Sequence, residues 1–275
     1  MHQGKTGSEK GRDARRISWI QTFARPPPAI ARGGFFACGA LLLSLPPNLA
    51  SLSNLPNFDP RKVPVVRVDT HLPAIDSAEF GAAALQQRFQ APRLWVPEIV
   101  EEPRFSDRTP TPASVLVAVV MRDEPMVLLT QRTANLSSHS GQIAFPGGKQ
   151  DDTDPDLTST ALREAQEEIG LDAAYVDVLG TLPVYRTGSA YIVTPVVALL
   201  RDGFRFERNV HEVDDIFEVP LAYLMNPANH RHHVVNFQGI SREWLSMPYQ
   251  QGATERFIWG ATAGMLRNFY RFLSA

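Results

Sequence analysis

The 275-residue sequence has a single cysteine, Cys38, and it lacks long apolar runs and a strong excess of either charge. One cysteine excludes an intramolecular disulfide framework and a zinc site built from several cysteines. No run reaches the roughly 18 apolar residues that a membrane helix needs. A net charge of −2 argues against a generally basic nucleic-acid binder. We therefore expect neither nucleic acid nor a membrane among the partners.

Acidic residues are missing from residues 14–58, although the first 60 residues contain seven Lys or Arg. The same 60 residues hold seven of the 22 prolines, and an apolar run of eleven residues occupies 35–45. This pattern is similar to the apolar part of a signal peptide or to an acid-poor transit segment. An unstructured leader, or upstream sequence from a mis-assigned start codon, is the alternative that we favour for residues 1–60. We expect one domain over 61–275 in the cytoplasm, unless the leader targets the protein elsewhere.

Strand-like and helix-like segments mix in residues 61–275 without a regular alternation, which indicates an α+β fold with a mixed sheet. The patterns predict helices at 76–90, 155–169, 221–225 and 262–273. They predict strands at 114–121, 126–131, 175–179, 181–185, 192–200 and 213–220, and shorter ones at 234–237 and 257–259.

Two further patterns outside the predicted helices have ordinary structural explanations. The segment His230–His233 has no cysteine nearby and no helical i, i+4 pair, so we expect a solvated loop and no zinc site. Four aromatic residues are expected to belong to the core and not to stack on a nucleotide base: Trp244, Phe257, Trp259 and Phe269.

The predicted helix at 155–169 carries the most informative pattern, with Asp154 expected as its N-cap and Gly170 at its end. Glu164, Glu167 and Glu168 stand at i, i+3 and i+4, so they project from one face and repel one another. A solvated acidic face tolerates this repulsion. A Mg²⁺ or Mn²⁺ ion, which prefers oxygen ligands, removes it. The triplet alone is compatible with both interpretations.

The residues before and within this helix favour the metal site. Residues 145–148 read Phe-Pro-Gly-Gly, and two glycines let the backbone approach a ligand closely. Arg163 stands beside Glu164 and can hold a carboxylate through a two-pronged hydrogen bond. A glycine turn, an acidic helix and an arginine together indicate a divalent-metal site for phosphate chemistry.

Residues 148–171 resemble the Nudix box, G-x5-E-x7-R-E-U-x-E-E-x-G-U, where U is aliphatic. Residues 163–171 match the second half, with the small Ala165 at the first aliphatic position. The first half is one residue longer than the pattern and lacks its glutamate. Three aspartates are candidates to replace that glutamate: Asp151, Asp152 and Asp154.

Residues 128–148 resemble the L-L-T-x-R-x-x-x-L…G-x-x-x-F-P-G-G extension of the coenzyme A pyrophosphatase branch of the Nudix family. The wider resemblance covers about residues 62–270 and implies the Nudix fold, a mixed sheet sandwiched between helices. It implies that Mg²⁺ or Mn²⁺ supports hydrolysis of coenzyme A or acyl-CoA to 3′,5′-ADP and 4′-phosphopantetheine or its acyl form. Two alternatives stay open: hydrolysis of another nucleotide, such as ADP-ribose or a dinucleotide, and a catalytically silent ligand sensor. A homodimer is compatible with the sequence.

The residue types and the resemblance together assign site residues. The metal ligands are expected among Gly148 (through its carbonyl), Glu164, Glu167 and Glu168. Glu167 and Glu212 are the candidates for the general base, and Arg163 is expected to orient a glutamate. Three basic residues are candidate substrate contacts: Arg132, His139 and Lys149. The alternatives are a surface ion pair for Arg132 and a solvated side chain for the other two.

Overall fold

The computed structural model describes residues 59–134, 141–237 and 240–275. The candidate His139 and almost all of the expected leader therefore lie outside the described residues. The helices are α1 (Ala82–Gln90), α2 (Leu157–Ile169), α3 (Leu221–Leu224) and α4 (Gly260–Ser274). The strands are β1 (Val65–Val68), β2 (Thr111–Met121), β3 (Pro125–Arg132), β4 (Ile143–Ala144), β5 (Gly147–Lys149), β6 (Val176–Thr181), β7 (Tyr185–Arg186), β8 (Tyr191–Leu200), β9 (Val213–Pro220), β10 (Arg231–Phe237), β11 (Ile240–Gln251) and β12 (Thr254–Trp259).

Two sheets organise these strands. The larger sheet has the order β4-β3-β2-β8-β6, with β5 paired to β2, β7 to β8 and β9 to β3. Strands β2 and β8 run parallel and the other pairs are antiparallel, so the sheet is mixed as predicted. The smaller sheet is the antiparallel series β1-β10-β11-β12.

The larger sheet lies between helices, which confirms the predicted α+β architecture. On one face, Ala161, Ala165 and Ile169 of α2 pack against alternate residues of β2 and β8. The other face contributes to a larger core that includes α1, α3, α4 and β11. Because strand residues alternate between faces, β2 serves both cores with an almost continuous apolar run. The helix α2 is thereby fixed over the strand that also pairs with the glycine turn.

Most predicted elements are present, but the helix predicted at 76–90 and the strand predicted at 181–185 were wrong in their extent. The expected helix at 76–90 is a 3₁₀ turn capped by Asp76, then Gly81, then α1. The segment 181–185 is not one strand, because β6 ends at Thr181 and β7 begins at Tyr185. None of the helices within the described ranges is long and apolar enough to cross a membrane.

The prediction of a solvated loop at His230–His233 was also wrong. The three histidines are 0–3% exposed, and His232 and His233 lie on β10. His232 Nε2 is 2.8 Å from Asp69, His233 Nε2 is 2.8 Å from the Ser246 hydroxyl, and His230 Nε2 is 2.8 Å from the Leu224 carbonyl. The polar ring atoms find partners inside the fold, so a run of histidines can be buried.

Candidate active site

The acidic helix α2 begins two residues later than predicted. Asp156, and not Asp154, is the N-cap, and its carboxylate accepts the Ser159 N–H at 2.7 Å. The helix ends as expected at Gly170, which has a left-handed φ of 67°. Asp154, which was predicted as the N-cap, accepts hydrogen bonds from Arg163 instead.

The glycine turn presses against two different groups, which explains why both positions are glycine. A Cβ on Gly147, where φ is 156°, would lie 2.4 Å from the Ser114 carbonyl oxygen. A Cβ on Gly148 would lie 2.5 Å from the carboxylate carbon of Glu164. The first contact is with backbone and the second is with a functional side chain. The turn therefore leaves a space for the Glu164 carboxylate directly above Gly148.

Glu168 is the most deeply buried carboxylate of α2, with 2% of the residue exposed. One of its oxygens accepts the Gly147 N–H at 3.1 Å, and the other lies 3.3 Å from Arg132 Nη1. Burial raises the pKa of Glu168 to about 7, although these two donors act in the opposite direction. Burial also raises the pKa of Glu164. At both carboxylates the effect of burial outweighs that of the neighbouring donors.

Arg163 connects the loop to the acidic face of α2. Its Nε and Nη2 each donate to Asp154 at 2.9 Å, which is the two-pronged arrangement predicted for a carboxylate on this arginine. Its Nη1 lies 3.0 Å from both Glu164 and Glu167, and Nη2 also donates to the Lys149 carbonyl at 3.0 Å. The arginine therefore orients two of the predicted glutamates and closes the polar loop onto the helix.

Among the three candidates for the missing glutamate, Asp154 has the matching position and contacts Arg163. Asp154 stands six residues after Gly148, as the glutamate does in the pattern, so the extra residue falls between it and Arg163. Asp151 stabilises the loop by accepting the Thr153 N–H and hydroxyl, both at 3.0 Å. The sequence named Asp154 both as a candidate for the glutamate and as the N-cap, and the structure assigns the cap to Asp156.

The two candidate bases differ in their surroundings. The Glu167 side chain is 55% exposed and lies against Arg163. Glu212 comes just before β9 and is half-buried, and the Asn209 amide donates to its carboxylate at 3.2 Å. The negative charge of Glu212 contributes to the raised pKa values of Glu164 and Glu168, so Glu212 belongs to the same cluster. The sequence analysis named Glu212 but not Asn209, whose contact with Glu212 no sequence pattern indicates.

The structure places two of the three candidate substrate contacts. Arg132 ends β3 and pairs with the buried Glu168, so its ion pair is not the surface pair considered as the alternative. Lys149 is exposed beside the glycine turn. Arg132 is thus held over the carboxylates, whereas the Lys149 side chain extends to solvent.

The chemistry of this donor set fits a hard divalent cation. The groups gathered here are carboxylate oxygens and backbone carbonyls, which suit Mg²⁺ and Mn²⁺. Gly148 leaves room for the Glu164 carboxylate, and a cation would stabilise the charged form of Glu168, whose pKa is raised by burial. Within the three described ranges, no three His, Cys, Asp or Glu side chains converge closely enough to hold a metal ion as they stand. In this conformation Arg163 and Arg132 contact the carboxylates instead.

The fold and the site define a hydrolase with an acidic helix and a glycine turn. The family model for the NUDIX domain matches residues 110–247, half of the chain. The chain therefore belongs to the Nudix family, whose hydrolases act on nucleoside diphosphate derivatives and generally use divalent metal ions such as Mg²⁺ or Mn²⁺. Small molecules are the substrates of this family.

The curated relatives agree with this assignment. The chain is 38% identical over 188 residues to an uncharacterized Nudix hydrolase, NudL, of Yersinia pestis (strain Pestoides F), covering 68% of this chain and 92% of that protein. The values are the same for NudL of Yersinia pseudotuberculosis (serotype O:1b, strain IP 31758).

Solved structures with a similar fold share less sequence. A C. elegans Ap4A hydrolase in a binary complex is 22% identical, with a TM-score of 0.35 over 43% of this chain and 85% of that chain. The NUDIX domain of Shewanella oneidensis NrtR, complexed with ADP ribose, is 24% identical, with a TM-score of 0.35 over 42% of this chain and 75% of that chain.

Proposed function

We propose that this Nudix hydrolase cleaves the diphosphate of coenzyme A or acyl-CoA to 3′,5′-ADP and 4′-phosphopantetheine or its acyl form. The observation that carries the proposal is the continuity of two motifs. The extension at 128–148 that resembles the coenzyme A branch runs directly into the glycine turn that lies on Glu164 and Glu168. We further propose that residues 61–275 form the catalytic domain and that deleting residues 1–55 leaves activity unchanged.

The carboxylates of α2 are proposed to hold Mg²⁺ or Mn²⁺. Glu164 and Glu168 would be ligands together with the Gly148 carbonyl, and Glu167 would share the cluster. The bound ion would neutralise charge on the diphosphate oxygens and lower the pKa of a water molecule. Arg163 keeps Glu164 and Glu167 in place, since one of its nitrogens lies 3.0 Å from each.

The remaining proposed roles concern protons and phosphate. Glu167 and Glu212 are the candidates to accept the proton of the attacking water, because both adjoin the ligand carboxylates. Arg132, His139 and Lys149 are proposed phosphate contacts. For Arg132 the support is its position, 3.3 Å from Glu168, where a guanidinium can also meet a phosphate oxygen.

Product analysis tests the proposal directly. The protein is incubated with coenzyme A and Mg²⁺ or Mn²⁺, and the products are identified by mass spectrometry. We expect 3′,5′-ADP and 4′-phosphopantetheine, and no turnover with EDTA. Parallel reactions contain ADP-ribose or a dinucleotide. Faster turnover of either, with coenzyme A intact, would refute the proposed substrate and leave the Nudix assignment in place.

Matched variants separate the two candidate bases. Glu167→Gln and Glu212→Gln each remove one charge while keeping the shape of the side chain. The variant that lacks the base should lose the rise of kcat on the acidic limb of the pH profile, because that limb reports deprotonation of the base, whereas the other variant should keep it. Unchanged profiles in both variants would exclude both residues as the base.

A further inference from the structure

A buried arginine in the smaller sheet has a donor without an acceptor. Arg242 on β11 is 7% exposed, and its Nη2 has no hydrogen-bond partner among the described residues. Its guanidinium lies 5.1 Å from the centre of the Phe105 ring. Glu102, whose charge acts on Arg242, already accepts the Tyr185 hydroxyl and the Gly188 N–H, both at 2.9 Å. A buried charged donor without an acceptor is costly, so it points to an anionic ligand.

Two tryptophans lie beside this arginine on the same sheet. Trp244 is two residues from Arg242 on β11, so the two side chains share a face. Trp259 pairs across the sheet with Ser246 on that face, and its ring centre is 6.4 Å from that of Trp244. Both tryptophans are half-buried, whereas Phe257 and Phe269 are core residues as expected. Partly accessible indoles next to a cationic donor suit an aromatic anion.

This surface adjoins the glycine turn. Trp259 is the N-cap residue of α4, and the Thr262 hydroxyl of that helix donates to the Ile143 carbonyl of β4 at 3.0 Å. Ile143 is four residues before Gly147, a stretch that spans at most about 14 Å. The N-terminal end of α4, where Trp259 lies, is thus connected through β4 to the glycine turn, whose Gly147 N–H donates to Glu168.

We propose that Arg242, Trp244 and Trp259 form a nucleotide subsite, in which Arg242 binds a phosphate monoester on the ribose and an indole stacks on the base. A guanidinium matches phosphate oxygens, and stacking on an aromatic ring is tolerant of base identity. This inference rests on the proposed function for its ligand, because coenzyme A carries such a phosphate at the ribose 3′ position. Arg242 would then distinguish coenzyme A from nucleotides without that group.

Product binding tests the subsite without turnover. Isothermal titration calorimetry measures the affinities of the full chain for 3′,5′-ADP and 5′-AMP in the presence of Mg²⁺. The measurements are made on the wild type and on Arg242→Met. The wild type should bind 3′,5′-ADP more tightly than 5′-AMP. Arg242→Met should weaken the binding of 3′,5′-ADP about tenfold or more, as expected for a lost charged hydrogen bond. The affinity for 5′-AMP should stay unchanged. Trp259→Leu should weaken the binding of both nucleotides by the same factor, since both contain the same base.

Arg256 provides the matched control. It is 9% exposed and lies 4.1 Å from the Phe217 ring centre, but its guanidinium donates to Gln131, Gln251 and Asp215. Arg256→Met should lower Tm without changing the ratio of the two affinities. Arg242→Lys retains the charge and should show a smaller loss of 3′,5′-ADP binding, which gives a second measurement if Arg242→Met does not fold.

The outcomes separate this proposal from the proposed function. Equal affinities of the wild type for both nucleotides, or an unchanged ratio in the folded Arg242 variants, would overturn the subsite even where coenzyme A is hydrolysed. An Arg242-dependent preference for 3′,5′-ADP without hydrolysis of coenzyme A would support the subsite and overturn the proposed reaction.

Discussion

Gly148→Ala should lower activity strongly while it leaves the thermal stability almost unchanged. The added Cβ would lie 2.5 Å from the Glu164 carboxylate carbon, about 0.9 Å inside the shortest ordinary contact of 3.4 Å. The Glu164 side chain can move away because only its flexible end is touched, so Tm should change little. The same end is the proposed metal ligand. A displacement of about 1 Å at a catalytic group costs on the order of 100-fold in rate.

The assay measures kcat for coenzyme A hydrolysis, Mn²⁺ affinity and Tm on the same preparations. Gly81→Ala is the control for activity, because its Cβ meets nothing within 4 Å. Gly147→Ala is the control for stability, because its Cβ would lie 2.6 Å from the Val115 Cα atom. Wild-type kcat and Mn²⁺ affinity in Gly148→Ala would refute the idea that the Glu164 position depends on this glycine.

Three further predictions concern charged groups. Glu168→Gln should lower kcat at least about 100-fold, since a lost ligand charge removes several kcal/mol; kinetics at saturating Mn²⁺ check this, and a loss below tenfold would contradict it. Arg163→Lys should weaken Mn²⁺ binding, because lysine cannot reproduce the two-pronged contact with Asp154; unchanged affinity in calorimetry would count against this role. Burial lowers the pKa of His230 to about 4, so between pH 6.5 and 4 the unfolded chain binds a proton that the folded chain does not. The free energy of unfolding should therefore fall by up to about 3 kcal/mol as the pH is lowered through this range, and urea titrations should show a flatter profile for His230→Gln.

The sequence predicted those elements whose patterns depend on local structure. The run at Ser114–Met121 predicts a buried strand because its residues are apolar on both faces. The structure buries both faces of this strand. Strand β11 was not predicted, since its residues include Arg242, Glu243 and Pro248 and show no simple alternation. That strand is formed through pairing with β10 and β12, which a local pattern does not contain. The tryptophans beside it were consequently assigned to the core.

The sequence supplied candidate site residues but not their arrangement. Helical periodicity alone places Glu164, Glu167 and Glu168 together, and the structure keeps them on one helix. The approach of Glu212 depends on the pairing of β9 with β3, and the contact of Arg132 with Glu168 depends on α2 packing over the sheet. Such contacts between distant segments follow from tertiary packing and not from residue spacing.

Burial and pairing divide the acidic residues of this region into two groups. Hydrogen bonds from Arg163 hold the pKa of Asp154 well below its usual range, and Asp154 also accepts the N–H of Asp151 in the loop. Burial acts the other way on Glu168, whose two donors compensate only part of its charge. A cation gains most where the protein has left negative charge uncompensated, and that place is Glu168 with its neighbour Glu164. Two carboxylates of the same sequence motif thus acquire opposite pKa shifts from the surroundings that the fold provides.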